Sequence, residues 1–275
     1  MKHLARGEFF GEKRHLLEWR GAAASTLVHR CARMLPPHSH GAAFFSLLIK
    51  GDYREQFGAR EIRYQPLTLV FHREDTLHRD ELGPAGATFL TLEIGPRWLG
   101  EVSRWRNLPP VMELTGRAPW LALSAFELLT GGALTRAELE SVTLELVGDA
   151  LQLPTGPADR APRWLVRVEE RLRDDPVDRA SVTALAREAG VHPVHLARTF
   201  RRRHGVTIGT FALDRRLDRA RRLLATPMAL VDIAAELGFA DQSHFTRMFR
   251  RRTGVTPGGA RAMMRGGGPT RATGA

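Results

Sequence analysis

The C-terminal half carries one pattern twice, and this duplication narrows what the chain can fold into more than any other feature. LAREAGVHPVHLARTFRRRHGVT, from Leu185 to Thr207, runs in step with IAAELGFADQSHFTRMFRRRTGVT, from Ile233 to Thr256. Ala186 and Gly190 correspond to Ala234 and Gly238 at an offset of 48. Arg198, Phe200, Arg201–Arg203, Gly205, Val206 and Thr207 correspond to Arg247, Phe249, Arg250–Arg252, Gly254, Val255 and Thr256 at 49. The slip falls in a turn, where an insertion is tolerated best. In the later copy Ile233, Ala234 and Leu237 form one inward stripe and Phe245, Met248 and Phe249 another, with Ser243, Arg247 and Arg250 opposite. Gly238 can take the left-handed conformation a tight turn demands, and Asp241 stands where a helix cap belongs. Pro193 suits the first turn of the earlier second helix. Each copy is therefore expected to be a helix-turn-helix, with the later reading helix at about 241–252.

Between the copies, Ile208–Ala225 places Phe211, Leu213, Leu217, Ala220, Leu223 and Leu224 among arginines, as one amphipathic helix would. About 18 helical residues span roughly 27 Å. With the flanking turns, the two reading heads come near one turn of DNA, about 34 Å. One molecule could then address two successive major grooves. On the first head, with Leu196 and Phe200 inward, Val194, Ala197, Arg198 and Arg201 face outward.

The residues of the later copy also carry a resemblance. Ile233-Ala234, Gly238-Phe239, Asp241, Ser243-His244-Phe245, Arg247, Phe249-Arg250-Arg251, Gly254, Thr256-Pro257 and Arg261 resemble the signature of AraC/XylS-type transcriptional regulators. About fifteen positions at fixed spacing are far more specific than a bare helix-turn-helix. The sequence departs from the pattern at Ala260, where the family usually has an aromatic that seals the small core under the last helix. Ala229 likewise stands where the family often has a capping serine. The resemblance implies that Gln242, Ser243, His244, Thr246 and Arg247 touch DNA, and Arg250 lies on the same outward face. Arginine can bind guanine bidentately and glutamine can read adenine, whereas Val194 and Ala197 offer apolar contact to a thymine methyl. Arg201–Arg203 and Arg250–Arg252 lie toward the helix C-termini, which favours phosphate contact. For Arg198 and Arg247, base and phosphate contact stand level.

Charge divides the chain in the same place. Residues 1–156 hold 18 Lys+Arg and 18 Asp+Glu, while 157–275 hold 23 and 12, so the whole net charge of +11 lies in the second half. A neutral half joined to a basic half points to one part that binds something small and one that binds nucleic acid. The Pro- and Gly-containing stretch from Pro154 to Pro162 is the expected linker. The boundaries expected are a first domain at 1–153, the linker at 154–162, a DNA-binding domain at 163–265 and a disordered tail at 266–275. No long apolar run suggests a membrane span, and the charged N-terminus does not read as a secretory signal. The single cysteine, Cys31, excludes an internal disulfide framework and fits the reducing cytoplasm. Its expected place is inside a buried strand, with a reactive-thiol role as the alternative.

The first half reads as short apolar runs broken by Gly and Pro, with candidate strands at Thr26–Met34, Phe44–Lys50, Arg60–Tyr64, Leu67–Phe71 and Ala87–Ile94. Pro37-His38-Ser39-His40, Gly51 and Thr76-Leu77-His78 resemble the two motifs of the cupin barrel. That resemblance places His38, His40 and His78 at metal-ligand positions and puts Phe44 or Phe45 where a ligating glutamate belongs. Three imidazoles could still hold zinc or a similar divalent ion. Alternatively they line a pocket mouth or the barrel rim, and the phenylalanine suits an organic ligand. His72 is given no role. From Pro96 the period becomes helical: Trp98, Val102 and Trp105 share a face, then Ala118–Thr130 and Thr135–Leu153 form a helix pair split by Gly131-Gly132. The pair could cover the barrel, form a dimer interface, or both.

The expected architecture is thus two domains, a mainly-β cupin-like barrel with a helix pair followed by an all-α double helix-turn-helix of about seven helices. The resemblance implies a sequence-specific regulator in the cytoplasm, an activator by analogy, that binds double-stranded DNA and RNA polymerase. A small-molecule effector would sit in the barrel, and a homodimer would form through 118–153. No cofactor is required, a divalent metal at His38, His40 and His78 apart. The alternative is a metal-dependent cupin enzyme fused to a DNA-binding domain; the missing glutamate and the lack of a base–nucleophile pair argue against catalysis.

Overall fold

The computed structural model describes residues 2–95, 108–152, 162–175 and 181–265. These fall into two compact units, one running to Leu151 and resuming at Thr246, the other from Gln152 to Phe245. The linker and tail expected from the sequence, and the Trp98–Val102–Trp105 face, lie largely or wholly outside the described residues.

The first unit opens with ten strands: β1 (Lys2–Leu4), β2 (Glu12–Trp19), β3 (Ala22–His29), β4 (Arg33–Met34), β5 (His38–His40), β6 (Ala43–Phe57), β7 (Arg60–Tyr64), β8 (Leu69–His72), β9 (Arg79–Ile94) and β10 (Val111–Leu114). An antiparallel sheet runs β10-β8-β6-β9-β3-β2, with β7 also pairing β6 and β4 also pairing β9. The parallel pair β1-β5 stands apart from it. The long strands β6 and β9 lie at the centre, and their apolar residues face Leu27, Leu35, Val70 and Tyr64 in one core. Both strands shift register near Gly51, whose φ of +110° favours glycine. A Cβ there would stand 2.2 Å from the Gly86 carbonyl oxygen, so the two chains approach closely only because the side chain is missing.

Helices α1 (Ala118–Thr130) and α2 (Arg136–Gln152) follow. Thr135 and Glu138 form a capping box at the start of α2: the Glu138 carboxylate accepts from the Thr135 N–H at 2.8 Å, and the Thr135 hydroxyl accepts from the Glu138 N–H at 3.2 Å. Leu139, Val142, Leu146 and Val147 make the buried stripe that the spacing predicts, and Leu151 is half-buried beside them. Within this unit Trp120 meets Phe249 edge-on at 4.7 Å, and the Ser124 hydroxyl donates to the Thr253 carbonyl at 3.1 Å. Ala260, which replaces the expected aromatic, is wholly buried.

The helices that follow are α3 (Arg163–Asp174), α4 (Val182–Ala189), α5 (Pro193–His204), α6 (Ile208–Leu224), α7 (Leu230–Glu236), α8 (Gln242–Thr253) and α9 (Pro257–Arg265). That makes seven helices after position 162 among the described residues, as the sequence leads one to expect. Leu165, Val168, Leu172, Leu185, Ala186, Leu196, Phe200 and Ile208 form the core around the first helix-turn-helix. Its turns are closed locally. Ser181 caps α4, Thr207 caps α6, and Gly190 ends α4 in the left-handed conformation.

Several expectations change. Cys31 is exposed, because β3 ends at His29 and the chain bends before β4. Strands β1, β2, β5 and β10, and the first half of β9, have no counterpart in the sequence reading. β2 is an edge strand whose residues are mostly exposed, so it carries no strict apolar alternation to read.

Candidate DNA-reading helices and a buried histidine–carboxylate pocket

In α5 the periodicity places Leu196, Thr199 and Phe200 inward, and leaves Val194, Ala197, Arg198 and Arg201 exposed. Pro193 opens the helix at its first turn, where its missing N–H leaves no bond unmade. In α8, Phe245 and Phe249 are wholly buried, while Gln242, Ser243, Arg247 and Arg250 are exposed and His244 and Thr246 half-buried. The Asp241 carboxylate accepts from the His244 N–H at 2.6 Å, the cap expected of it. Gly238 has φ +70°. The helix before it, α7, begins at Ala229 without a side-chain cap.

Two of the residues expected to contact DNA hold partners within the protein. His244 turns back on the turn: its Nδ1 accepts from the Ala240 N–H at 3.4 Å and its ring stands edge-on to Phe239. Arg203 is not available to phosphate in this arrangement, because its Nε donates to Glu169 at 2.8 Å and the side chain is 20% exposed. Glu169 is itself buried and also pairs with His204 at 2.8 Å, so Arg203 serves to neutralise an interior carboxylate.

The β-rich unit holds a second cluster. His38 and His40 lie on β5, His78 pairs with His38 across an isolated bridge, and Glu55 on β6 lies directly opposite Asp80 on β9. All five are buried. One nitrogen from each of His38, His40 and His78 lies within 4.8 Å of the others, and Glu55, His78 and Asp80 form a second such group sharing His78. The three histidines named from the sequence lie together here, beside two carboxylates that the sequence does not single out. His72, set aside there, binds Glu55 at 2.9 Å and is stacked on Phe44, with ring centroids 4.5 Å apart. Phe44, with Phe45 one of the two residues standing where the resemblance expects a ligating glutamate, also packs on His40 at 4.8 Å.

Burial governs the protonation of this cluster. It lowers His38 and His78, takes His40 to about 2 and His72 to about 4, so all four rings are neutral near pH 7. Burial first, and then the facing Glu55 charge, raises Asp80 to about 7; burial raises Glu55 to about 7, opposed by His78. The Tyr53 hydroxyl donates to Asp80 at 3.1 Å. The cavity among these groups is about 50 Å³. Organic ligands usually need ~300–1,000 Å³, so this space suits an ion and a water or two. A wider cleft of about 680 Å³ lies elsewhere on the unit, between Phe57, Arg60, Arg73 and Leu77.

The signal for Glu55 and Asp80 was absent from local sequence, because carboxylates in strands usually face solvent. Only the β6–β9 register turns them inward and together.

A helix-turn-helix domain profile matches residues 185–263. The probable transcription factor PqrA of Proteus vulgaris is 35% identical over 96 residues, covering 34% of this chain and 75% of that protein. The HTH-type transcriptional regulator GlxA of Rhizobium meliloti is 42% identical over 101 residues, 35% of this chain and 30% of GlxA. The thermoregulatory protein LcrF of Yersinia pestis is 30% identical over 175 residues, 59% of this chain and 64% of LcrF. The chain therefore spans less than two thirds of GlxA and LcrF. Among solved structures, ToxT from Vibrio cholerae aligns with 90% of this chain and all of its own at 10% identity, with a TM-score of 0.39.

Proposed function

Because the chain belongs to the AraC/XylS family of helix-turn-helix transcriptional regulators, we propose that it binds a specific DNA site through α5 and α8 and couples that binding to a signal received by its β-rich half. The observation that carries this reading is the pair of exposed faces, Val194, Ala197, Arg198 and Arg201 on one helix and Gln242, Ser243, Arg247 and Arg250 on the other. Each face sits over a wholly buried phenylalanine, Phe200 or Phe245, so the outward residues are set by packing. The helix α6, 17 residues long, is the spacer that sets the heads about one DNA turn apart. His244 reaches DNA by leaving its bond to Ala240.

The finer organisation belongs to the same reading. Residues 1–153 form the sensing domain, a cupin-like barrel supported by the two long central strands; 154–162 link it to a DNA-binding domain at 163–265, with a tail at 266–275. Activation, a contact with RNA polymerase and action in the cytoplasm follow from the family, as does a small effector in the first half. The helix pair at 118–153 is the proposed dimer surface, and Leu144, 54% exposed on α2, is its apolar candidate. Among the described residues, no helix is long and apolar enough to cross a membrane. The histidine cluster favours one rival, a metal-dependent enzyme, but a cavity of about 50 Å³, lined in part by Phe44, has no room for an organic substrate beside an ion.

Selection of bound sequences from a random DNA pool tests the reading directly. Two conserved blocks about 10 base pairs apart are expected. A pool that returns no preference would remove sequence readout altogether. With that site in hand, Arg247→Ala is expected to weaken binding by about 1–3 kcal/mol and to relax preference at one base pair, the mark of a guanine contact. An equal loss on every sequence would assign Arg247 to phosphate instead.

A further inference from the structure

We propose that Trp120, on α1 of the first half, is a structural part of the second reading head and a positioning residue for α8. It stands against Phe249 where the first head sets its own Phe211 against Phe200. The consequence for DNA reading rests on the regulator role proposed above; the shared core does not.

The internal repeat supplies the comparison. At the offset of 49, Phe200, His204 and Phe211 correspond to Phe249, Thr253 and Ala260. In the first head the three rings close on one another: Phe200 meets Phe211 edge-on at 5.3 Å and His204 at 4.3 Å, and His204 lies 5.0 Å from Phe211. In the second copy two of the three rings are gone, replaced by a threonine and a methyl group. Phe249, Thr253 and Ala260 are nonetheless all buried. Protein interiors pack to a nearly constant density, so the volume of two missing rings is filled from elsewhere or left as a costly cavity.

Trp120 is the group that fills it. Its indole is 1% exposed and meets Phe249 at 4.7 Å with the ring planes at 74°, the same edge-on arrangement that Phe200 and Phe211 make at 83°. Aromatic pairs favour this geometry, with ring centroids ~4.5–7 Å apart. Trp120 lies far outside the repeat, whereas the described core of the first head is drawn from Trp164 onward. One head closes its core with its own rings, and the other borrows one.

Contacts one turn further along α1 agree. The Ser124 hydroxyl donates to the Thr253 carbonyl at 3.1 Å, satisfying an acceptor that the end of α8 leaves without an intrahelical partner. Gly254 follows with φ +83°, and a Cβ there would stand 2.8 Å from the Ser124 Oγ, so the close approach needs glycine. Helix α9 lies against β6 in the same compact unit. That unit takes in the chain from Thr246 onward, so its boundary falls inside α8 itself. A ring on α1 therefore bears directly on the helix that carries Arg247 and Arg250.

The test uses the full chain and begins without DNA. In Trp120→Ala, amide hydrogen exchange is expected to run at least ~10-fold faster at residues 249–253 and 260–264, with 199–203 of the first head unchanged. Trp120→Phe keeps a ring and is expected to retain most of the protection. Ala260→Phe alone crowds a filled core, but in the Trp120→Ala background it restores the ring that Phe211 supplies in the first head, bringing exchange back to within about threefold of wild type. Because Trp120 also lies in the interior of the first unit, Ser124→Leu serves as the second variant. It pushes on Gly254 from a half-buried position and is expected to loosen the same segments while 89–94 of β9 stay protected; it decides the matter for a Trp120→Ala chain that has lost protection in β9. On the selected DNA site, a mismatch in the block read by α8 costs the wild type roughly 5–150-fold in affinity and is expected to cost Trp120→Ala less than about threefold, while the α5 block keeps its full cost. No acceleration in Trp120→Ala or Ser124→Leu, equal acceleration of both heads, a double variant no better protected than Trp120→Ala, or an α8 block still read at full cost by Trp120→Ala would overturn the proposal. Exchange as described in a chain that selects no DNA sequence would leave the shared core standing and remove the regulator reading.

Discussion

Raising salt from 50 to 200 mM is expected to weaken binding of the full chain to its selected site about a thousandfold. Arg198, Arg201, Arg202, Arg247, Arg250 and Arg251 are exposed on the two reading helices. Arg203 is excluded because Glu169 already holds it. If those six displace counterions from phosphate, the slope of log affinity against log salt is roughly −5, and a fourfold rise in salt gives a loss of about 10³. The neutral first half adds little to this. A measured slope shallower than about −2 would mean that most of these arginines never reach the backbone, and the charge asymmetry would lose its functional meaning.

Phe200→Ala is expected to cost about 3–5 kcal/mol, against a total domain stability of roughly 5–15 kcal/mol. Phe200 is wholly buried, packs against Phe211 at 5.3 Å and His204 at 4.3 Å, and anchors the face that presents Arg198 and Arg201. Its loss leaves a cavity in a core of few side chains, so the first head should melt well before the β-rich half. A two-step thermal transition, with loss of site-specific binding, is the expected result. Val194→Ala gives the contrast: Val194 is 52% exposed, so its removal should change stability by less than ~0.5 kcal/mol and alter only base preference. Equal effects of the two substitutions would contradict the assignment of inward and outward faces.

The helical half was legible because its information is local. Caps, left-handed glycines and a 3.6-residue period each depend on neighbours in sequence, and α1 and the inward stripes of α5 and α8 followed from them. The bonds that His244 makes to the Ala240 N–H and Arg203 makes to Glu169 carried no such signal. In the first half, β7 was read at its observed bounds, whereas the edge strand β2, exposed along most of its length, left no pattern.

The pocket shows the division most sharply. His38, His40 and His78 were visible as motif residues, because spacing along one chain marks them. Glu55, Asp80 and His72 were not, since nothing near them in sequence says which way a strand residue points. From residue order alone came two reading heads, a spacer between them and a charge boundary. Which carboxylates meet which histidines was decided by the register of β6 against β9, a pairing of distant segments that one residue of slip would turn inside out.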